Sequence, residues 1–340
     1  MQQSGASLPA KGSNKDFKRL LPGLLISAVC LAVIFYFVDF HKLVEALRLA
    51  DYRLVILSIL ISLVWLCVRS LAWRALLRDQ ATFKQSFFTI CEGYLLNNLL
   101  PFRLGEIGRA FLMGHKASLP FWEVFSTILI ERSLDMAMAA GLLLFTLPFV
   151  LEAEWAGQAA ILVGGLMLLF LAILYLLARY RQTAQRLFHK ASVRWPVLQR
   201  TGGKALAAFL TGLTVLTDLR VFLLATSLII LDWLIVLVQY FILMKAFFPQ
   251  ASFLWAAFVL GISALGLAAP SSPGAIGVYE ISVIGGMAVF GQDASTALAF
   301  ALVAHAISYL WTGVFGIYAF IKDGQSLIGL YRQLRFNKEG

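Results

Sequence analysis

Charge is scarce in this chain: only 14% of its 340 residues are Asp, Glu, Lys or Arg, whereas 60% are hydrophobic. The mean hydropathy is +0.83. Soluble domains carry roughly a quarter of their residues as charge, so that class is excluded. Cysteine is scarcer still. Cys30, Cys67 and Cys91 each lie in an apolar stretch, with neither a disulfide framework nor metal-ligand spacing, and read as packing residues. No His/Cys/carboxylate set has metal spacing, and there is no Walker or GxGxxG loop, so no metal, nucleotide or other cofactor is expected. Acidic residues are few, leaving a formal net charge of +10. Nucleic acid is not the partner this implies. The densest basic run, "RYRQTAQRLFHKASVRWPVLQR" (179–200), lies between apolar segments, where the positive-inside rule places a cytoplasmic loop. Near anionic headgroups each such residue adds ~1 kcal/mol of attraction.

Apolar runs of about twenty residues are what the chain has in abundance, and each can cross a hydrocarbon core of ~30 Å. The fold expected is an all-α polytopic membrane helix bundle. Full spans fall at 20–38, 54–77, 124–150, 158–178, 221–247 and 296–320. Residues 1–14 read as a polar disordered tail, 15–325 as one transmembrane domain, 179–204 as its basic cytoplasmic linker and 326–340 as a basic tail. The first apolar run follows Lys15, Lys18 and Arg19, but it is long and lacks a small-residue cleavage site, so an uncleaved helix is expected. No charged globular block stands at either end, and no sizeable soluble domain is expected. Arg74, Arg78, Lys84, the 179–204 run and Lys322 sort to one side; the mixed loop 39–53, "LEAEW" (151–155), Lys245 and Asp293 sort to the other. This asymmetry predicts a cell-membrane protein with both termini cytoplasmic.

The sorting closes only if 85–116 and 252–291 return to the side they came from. Each has a first leg of roughly 16 residues, ~24 Å of helix, which is short for a crossing. Both are therefore expected to be re-entrant helical hairpins, dipping in from opposite faces. Their breaks, "LLPFRLGE" (99–106) and "AAPSSPGAIGVYE" (268–280), each place Pro and Gly at the turn and a Glu soon after, the pattern of an inverted repeat. Irregular backbone at membrane depth needs protein or a water-filled cavity around it. Asn97 and Asn98 can bond the loose carbonyls of the first leg. Pro101 suits the first turn of a helix over 102–114, and Ser272–Pro273 a cap and first turn of the second returning leg. Each returning leg then aims a positive helix end inward, which suits a phosphate or carboxylate.

In that helix Arg103, Glu106 and Arg109 form a stripe at three-residue spacing. The two arginines can bind a phosphate, with Glu106 holding one of them while the site is empty; the simpler reading has both arginines snorkelling at the interface. Glu131, Arg132 and Asp135 in "ILIERSLDMAM" are costly in a span unless paired, and stand either as functional groups or as a structural Arg132–Asp135 pair. Asp232 and Gln239 divide between interhelical bonding and cavity lining. His305 and Tyr309, at i and i+4, favour packing over a proton relay.

Three ordered blocks, "NNLLPFRLGEIGRAFLM", "ERSLDM" and "PSSPGAIGVYE", resemble the signature of the lysylphosphatidylglycerol synthase transmembrane region, a flippase-like (UPF0104) family, over roughly residues 20–320. By that resemblance Asn98, Arg103, Glu106, Arg109, Glu131, Arg132, Asp135 and Glu280 match the family pattern, and together with Ser272 they are the residues expected to contact a lipid headgroup. Pro101, Gly105, Pro270, Pro273, Gly274 and Gly277 would shape or hinge the backbone. The family's synthases carry a soluble aminoacyl-transfer domain after this region, whereas this sequence stops at "RFNKEG". The expected function is therefore lipid translocation, of an anionic phospholipid, an aminoacylated lipid or a polyprenyl-phosphate-linked lipid. Its partners would be membrane lipids with a phosphate headgroup, with a lipid-modifying enzyme and a homo-oligomer left open. The rival readings are an integral-membrane glycosyl- or aminoacyl-lipid transferase using Glu106, Asp135 or Glu280, and a non-transporting partner of a lipid-modifying enzyme. The want of a nucleotide, metal or transferase motif favours transport over an enzyme.

Overall fold

The computed structural model describes residues 28–100, 103–150, 154–193, 196–268 and 272–323, and these are helical with no strand among them. The two tails, Pro101, Pro270 and the first part of the span at 20–38 lie outside the described residues.

Two long apolar helices, α3 (Tyr52–Leu76) and α10 (Leu219–Phe247), pack along their length as the central pair. They are antiparallel. At one end the Asp51 N–H donates to the Ala246 carbonyl at 3.0 Å, and at the other Arg78 pairs with Asp218 at 3.0 Å. Each begins on an aspartate whose carboxylate accepts from the first turn, Asp51 from Arg53 and Asp218 from Val221. With α6 (Phe121–Val150) and α13 (Ala294–Lys322) they make, among the described residues, four helices long and apolar enough to cross a membrane. The next helix, α7 (Glu154–Arg179), packs against α6; from its Gly164–Arg179 part the chain turns by 86° into α8 (Arg181–Ser192), which packs on α9 (Pro196–Gly212). Of the first expected span, α1 (Ala28–Phe37) is described. The expected loop over 39–53 is instead largely helical: Asp39 caps α2 (Phe40–Leu49) by accepting from His41 at 2.8 Å. Phe40, Leu43 and Leu47 give that segment one apolar face, and the Asp39 N–H ties it to Ser295 Oγ at the start of α13, at 3.0 Å.

The regions expected to be re-entrant form two helical hairpins, α4 (Phe83–Leu99) with α5 (Leu104–Ala117), and α11 (Phe253–Ala268) with α12 (Val278–Ala288). Each returns to the end it started from. Gln85 at the start of α4 donates to the Lys116 carbonyl at the end of α5 at 2.8 Å. Trp255 at the start of α11 stacks on Phe290 just beyond α12 at 4.7 Å, and Gln250 bonds Gln292 at 3.0 Å. Since the first hairpin follows the end of α3 and the second follows the end of α10, and those ends are opposite, the hairpins enter the bundle from opposite ends.

The breaks differ in detail from the sequence expectation. Leu100, which precedes a proline, is extended (φ −110°, ψ 142°), as proline enforces on its predecessor. The returning helix begins at Leu104 rather than 102, because Arg103 takes a left-handed conformation (φ 52°) that no helix accommodates. In the second break Ser272 and Pro273 head a short 3-10 turn (Pro273–Ala275), not α12. Gly274 and Ala275 there have φ of 67° and 57°, so helical backbone resumes only at Val278. Its cap is Glu280, whose Oε2 accepts from the Gly277 N–H at 2.6 Å.

Candidate functional site

The two breaks meet. The 3-10 turn packs against α4, and a methyl placed on Gly274 would fall 2.3 Å from the Tyr309 hydroxyl and 3.5 Å from the Asn98 carbonyl. Around this meeting point lies a cavity of about 440 Å³, walled by both breaks and by the middles of α3, α6 and α13. Asn98, Arg103, Glu106, Arg132, Ser272 and Gly274 all line it. Six of the expected residues, separated by up to 176 positions in the chain (98 to 274), are thus brought around one cavity.

Arg109, Glu131 and Asp135 are elsewhere, in a largely buried ion network behind the α5–α6 wall. Arg109 grips Glu131 with both terminal nitrogens, at 2.5 and 3.2 Å, while its guanidinium lies 4.0 Å over the Trp73 ring. Both side chains are 1% exposed. Gly93 leaves room for Arg109, since a methyl there would sit 2.7 Å from its Cγ, and α5 packs closely on α4 at Gly105, where a methyl would sit 2.1 Å from the Gly93 carbonyl. Arg69 is the hub. It forks onto Asp135 at 2.5 and 2.8 Å, and reaches Glu131 at 2.6 Å and Asp232 at 3.2 Å. Trp233 donates its Nε1–H to Asp135 at 3.1 Å.

Arg132 joins this network to the cavity. It pairs with Glu131 at 3.1 Å, Asp135 at 3.3 Å and Glu106 at 3.5 Å, and its side chain is 28% exposed at the cavity wall. The structural Arg132–Asp135 pair and a cavity-facing Arg132 therefore coexist. Glu106 also accepts from Arg109 at 3.4 Å and from Asn97 at 3.4 Å, so Asn97 bonds this carboxylate rather than a helix-end carbonyl. The network sets four carboxylates, Glu106, Glu131, Asp135 and Asp232, against three guanidinium groups, Arg69, Arg109 and Arg132. Arg103, exposed at the cavity, makes no hydrogen bond or ion pair with the other described residues.

Across the cavity, Glu280 sits behind His305, and the Ser272 hydroxyl donates to the Ile276 carbonyl at 3.2 Å across the turn. Sequence reasoning expected an open, positive helix end at α12. The Glu280 carboxylate occupies that end itself, so the N–H of Gly277 is satisfied from within the chain. Asp232 is an ion-network residue, while Gln239 lines a second, apolar cavity of about 230 Å³ that shares Trp65 and Tyr279 with the first. Arg69 escaped sequence reasoning. The signal was an arginine inside an apolar span together with an Asp232 that had no cation nearby in sequence, since intramembrane charges need partners.

Compared with known proteins, residues 20–316 match the family described as the lysylphosphatidylglycerol synthase TM region. A UPF0104 membrane protein of Methanothermobacter thermautotrophicus is 26% identical over 79% of this chain and 83% of its own length. A second UPF0104 membrane protein of that organism is 23% identical over 89% of this chain and 95% of its own. The glycosyltransferase AglD of Haloferax volcanii is 25% identical, over 36% of this chain and 20% of its own length. No solved structure matches.

Proposed function

Because this chain belongs to the lysylphosphatidylglycerol synthase transmembrane-region family, we propose that it translocates a phosphate-bearing lipid between leaflets, holding the headgroup in the cavity between the two breaks. The observation that carries this reading is Arg103, a guanidinium at the cavity with no ion pair to another described residue, beside a network whose other arginines are already committed. A phosphate cannot cross hydrocarbon unaided, because its charge would lose its hydration with nothing in exchange. A polar cavity between helix breaks supplies that exchange: Arg103 for the phosphate, and the Asn98 side chain for other headgroup oxygens. Opposed hairpins provide two sides from which the cavity could open, as in transporters built from inverted repeats. The helix ends bearing Arg74, Arg78, Lys84, Lys116 and Lys322 would face the cytoplasm of a cell-membrane protein.

Purified chain in proteoliposomes carrying fluorescent phosphatidylglycerol tests this by leaflet exchange. Wild type should accelerate exchange and Arg103→Gln should not; equal rates for the two would overturn the site. A transferase reading draws on the name of the Haloferax relative. All three of its candidate acids are engaged: Asp135 is forked by Arg69, Glu280 is held by His305 and Glu106 is paired with Arg109 and Arg132. Product from a labelled polyprenyl-phosphate sugar would favour that reading instead.

A further inference from the structure

The wall opposite Arg103 carries a second charged unit. The Glu280 carboxylate is buried and uses both oxygens: Oε2 accepts from the Gly277 N–H at 2.6 Å, and Oε1 lies 2.6 Å from His305 Nδ1. A single carboxylate thereby fastens the second break to the middle of α13. The His305 ring is held between Tyr279 and Tyr309, at centroid distances of 4.7 and 4.5 Å. Tyr309 in turn donates its hydroxyl to the Gly274 carbonyl at 2.6 Å. His305 lines the cavity, and its Nε2 makes no hydrogen bond with another described residue.

Every other charged group facing this site is committed or fixed in charge. Arg103 and Arg132 across the cavity stay protonated as arginines do. Glu106 is held by Arg132 and Arg109. Tyr94, Tyr279 and Tyr309 are phenols, and Tyr240 of α10 stands behind Tyr279 at 3.2 Å. Cys30 of α1 lies within electrostatic range of Glu280. Imidazole is the side chain whose charge changes between about pH 5 and pH 8. A proton taken from water by Nε2, while Nδ1–H stays on Glu280, adds one positive charge to the cavity and turns an acceptor into a donor there.

We infer that His305, oriented by Glu280, is a proton-binding site whose occupancy is linked to that of an anionic phosphate headgroup in the same cavity, which makes the proton the coupling ion. The inference rests on the headgroup reading above. Each ligand raises the other's affinity by the same factor, because linkage between two binding sites is reciprocal. A phosphodiester headgroup and a proton moving together carry no net charge. Deprotonation of His305 on the less acidic side withdraws one of the cations facing the phosphate and weakens the contact that pins the second break.

The test is binding of a short-chain phosphatidylglycerol to the full chain in detergent between about pH 8 and pH 5. A parallel series with inorganic phosphate separates the lipid from its bare anion. Wild type should bind at least about fivefold more tightly at the acid end, and should take up protons on binding. His305→Gln, which keeps a donor for Glu280, should bind at the alkaline wild-type level at every pH; Glu280→Gln should also flatten the slope. Arg103→Gln should weaken binding throughout yet keep the slope. Binding by wild type that is independent of pH, or a slope that survives in His305→Gln, overturns the proton site and leaves the headgroup reading standing. No binding at any pH overturns both.

Discussion

Arg109 and Glu131 form a bidentate pair at 2.5 and 3.2 Å, in a position where neither side chain exposes more than 1% of its surface. The pair lies between α5 of the first hairpin and α6, directly behind the cavity wall, and Arg69 shares Glu131 from α3. Buried charge thereby ties the first hairpin to both α3 and α6.

Loss of one partner leaves the other buried and uncompensated, which costs ~3–5 kcal/mol. Glu131→Gln or Arg109→Leu should therefore lower the yield of folded protein and its thermal midpoint in detergent strongly. The double variant Arg109→Leu/Glu131→Leu should recover much of that loss. A size-exclusion thermal series checks it, and equal stability of Glu131→Gln and wild type would contradict the buried pair.

Arg69 should behave in the same way, with a graded response. It faces Glu131, Asp135 and Asp232, so Arg69→Met leaves three carboxylates with weakened compensation. Adding Asp232→Asn removes one of the surplus charges and should restore part of the stability. Double-mutant-cycle melting measures the coupling, and strict additivity would place Asp232 outside the network.

Arg103 is expected to differ from both. Exposed at the cavity and unpaired with other described residues, it can be replaced by Gln with little change in melting, within about 0.5 kcal/mol, while lipid exchange is lost. Arg103→Lys keeps the charge but not the fork, and should retain part of the activity. Paired melting and leaflet-exchange measurements separate the two effects.

Gly105 tests the closeness of the first hairpin. A methyl there meets the Gly93 carbonyl at 2.1 Å, so α4 and α5 must separate and drag Arg109 with them. Gly105→Ala should cost ~1–3 kcal/mol by overpacking, whereas Gly285→Ala, with nothing within 4 Å of the added atom, should be nearly silent. Comparable melting losses in the two variants would argue against close helix contact.

The opposed hairpins can be tested from outside. In a background without cysteine, Lys84→Cys and Lys116→Cys should be labelled by a membrane-impermeant maleimide from one face, and Gln250→Cys and Gln292→Cys from the other. Labelling of both members of either pair from different faces would show a crossing instead of a return.

Much of the architecture follows from patterns that neighbouring residues share. Apolar run length marks α3, α6, α10 and α13 as spans, and Pro and Gly after short legs mark the two breaks. Where side chains find partners is another matter. Three-residue spacing groups Arg103, Glu106 and Arg109 on one helix face, yet the first faces the cavity and the last turns into the core toward Glu131 on another helix. Arg69 takes partners 66 and 163 positions away, beyond the reach of any local pattern. The Ser272–Pro273 pair looked like a helix start, but left-handed backbone at Gly274 and Ala275 postpones the helix to Val278.

Composition and periodicity by themselves determined a membrane helix bundle with two interrupted hairpins, because lipid demands long apolar helices and tolerates a break only where polar partners surround it. Tertiary structure alone decided which arginines are spent on internal carboxylates and that Arg103 stands at the cavity without an ion pair to another described residue. A buried charge settles on whatever opposite charge the packing brings within about 4 Å, and chain order does not specify that neighbour.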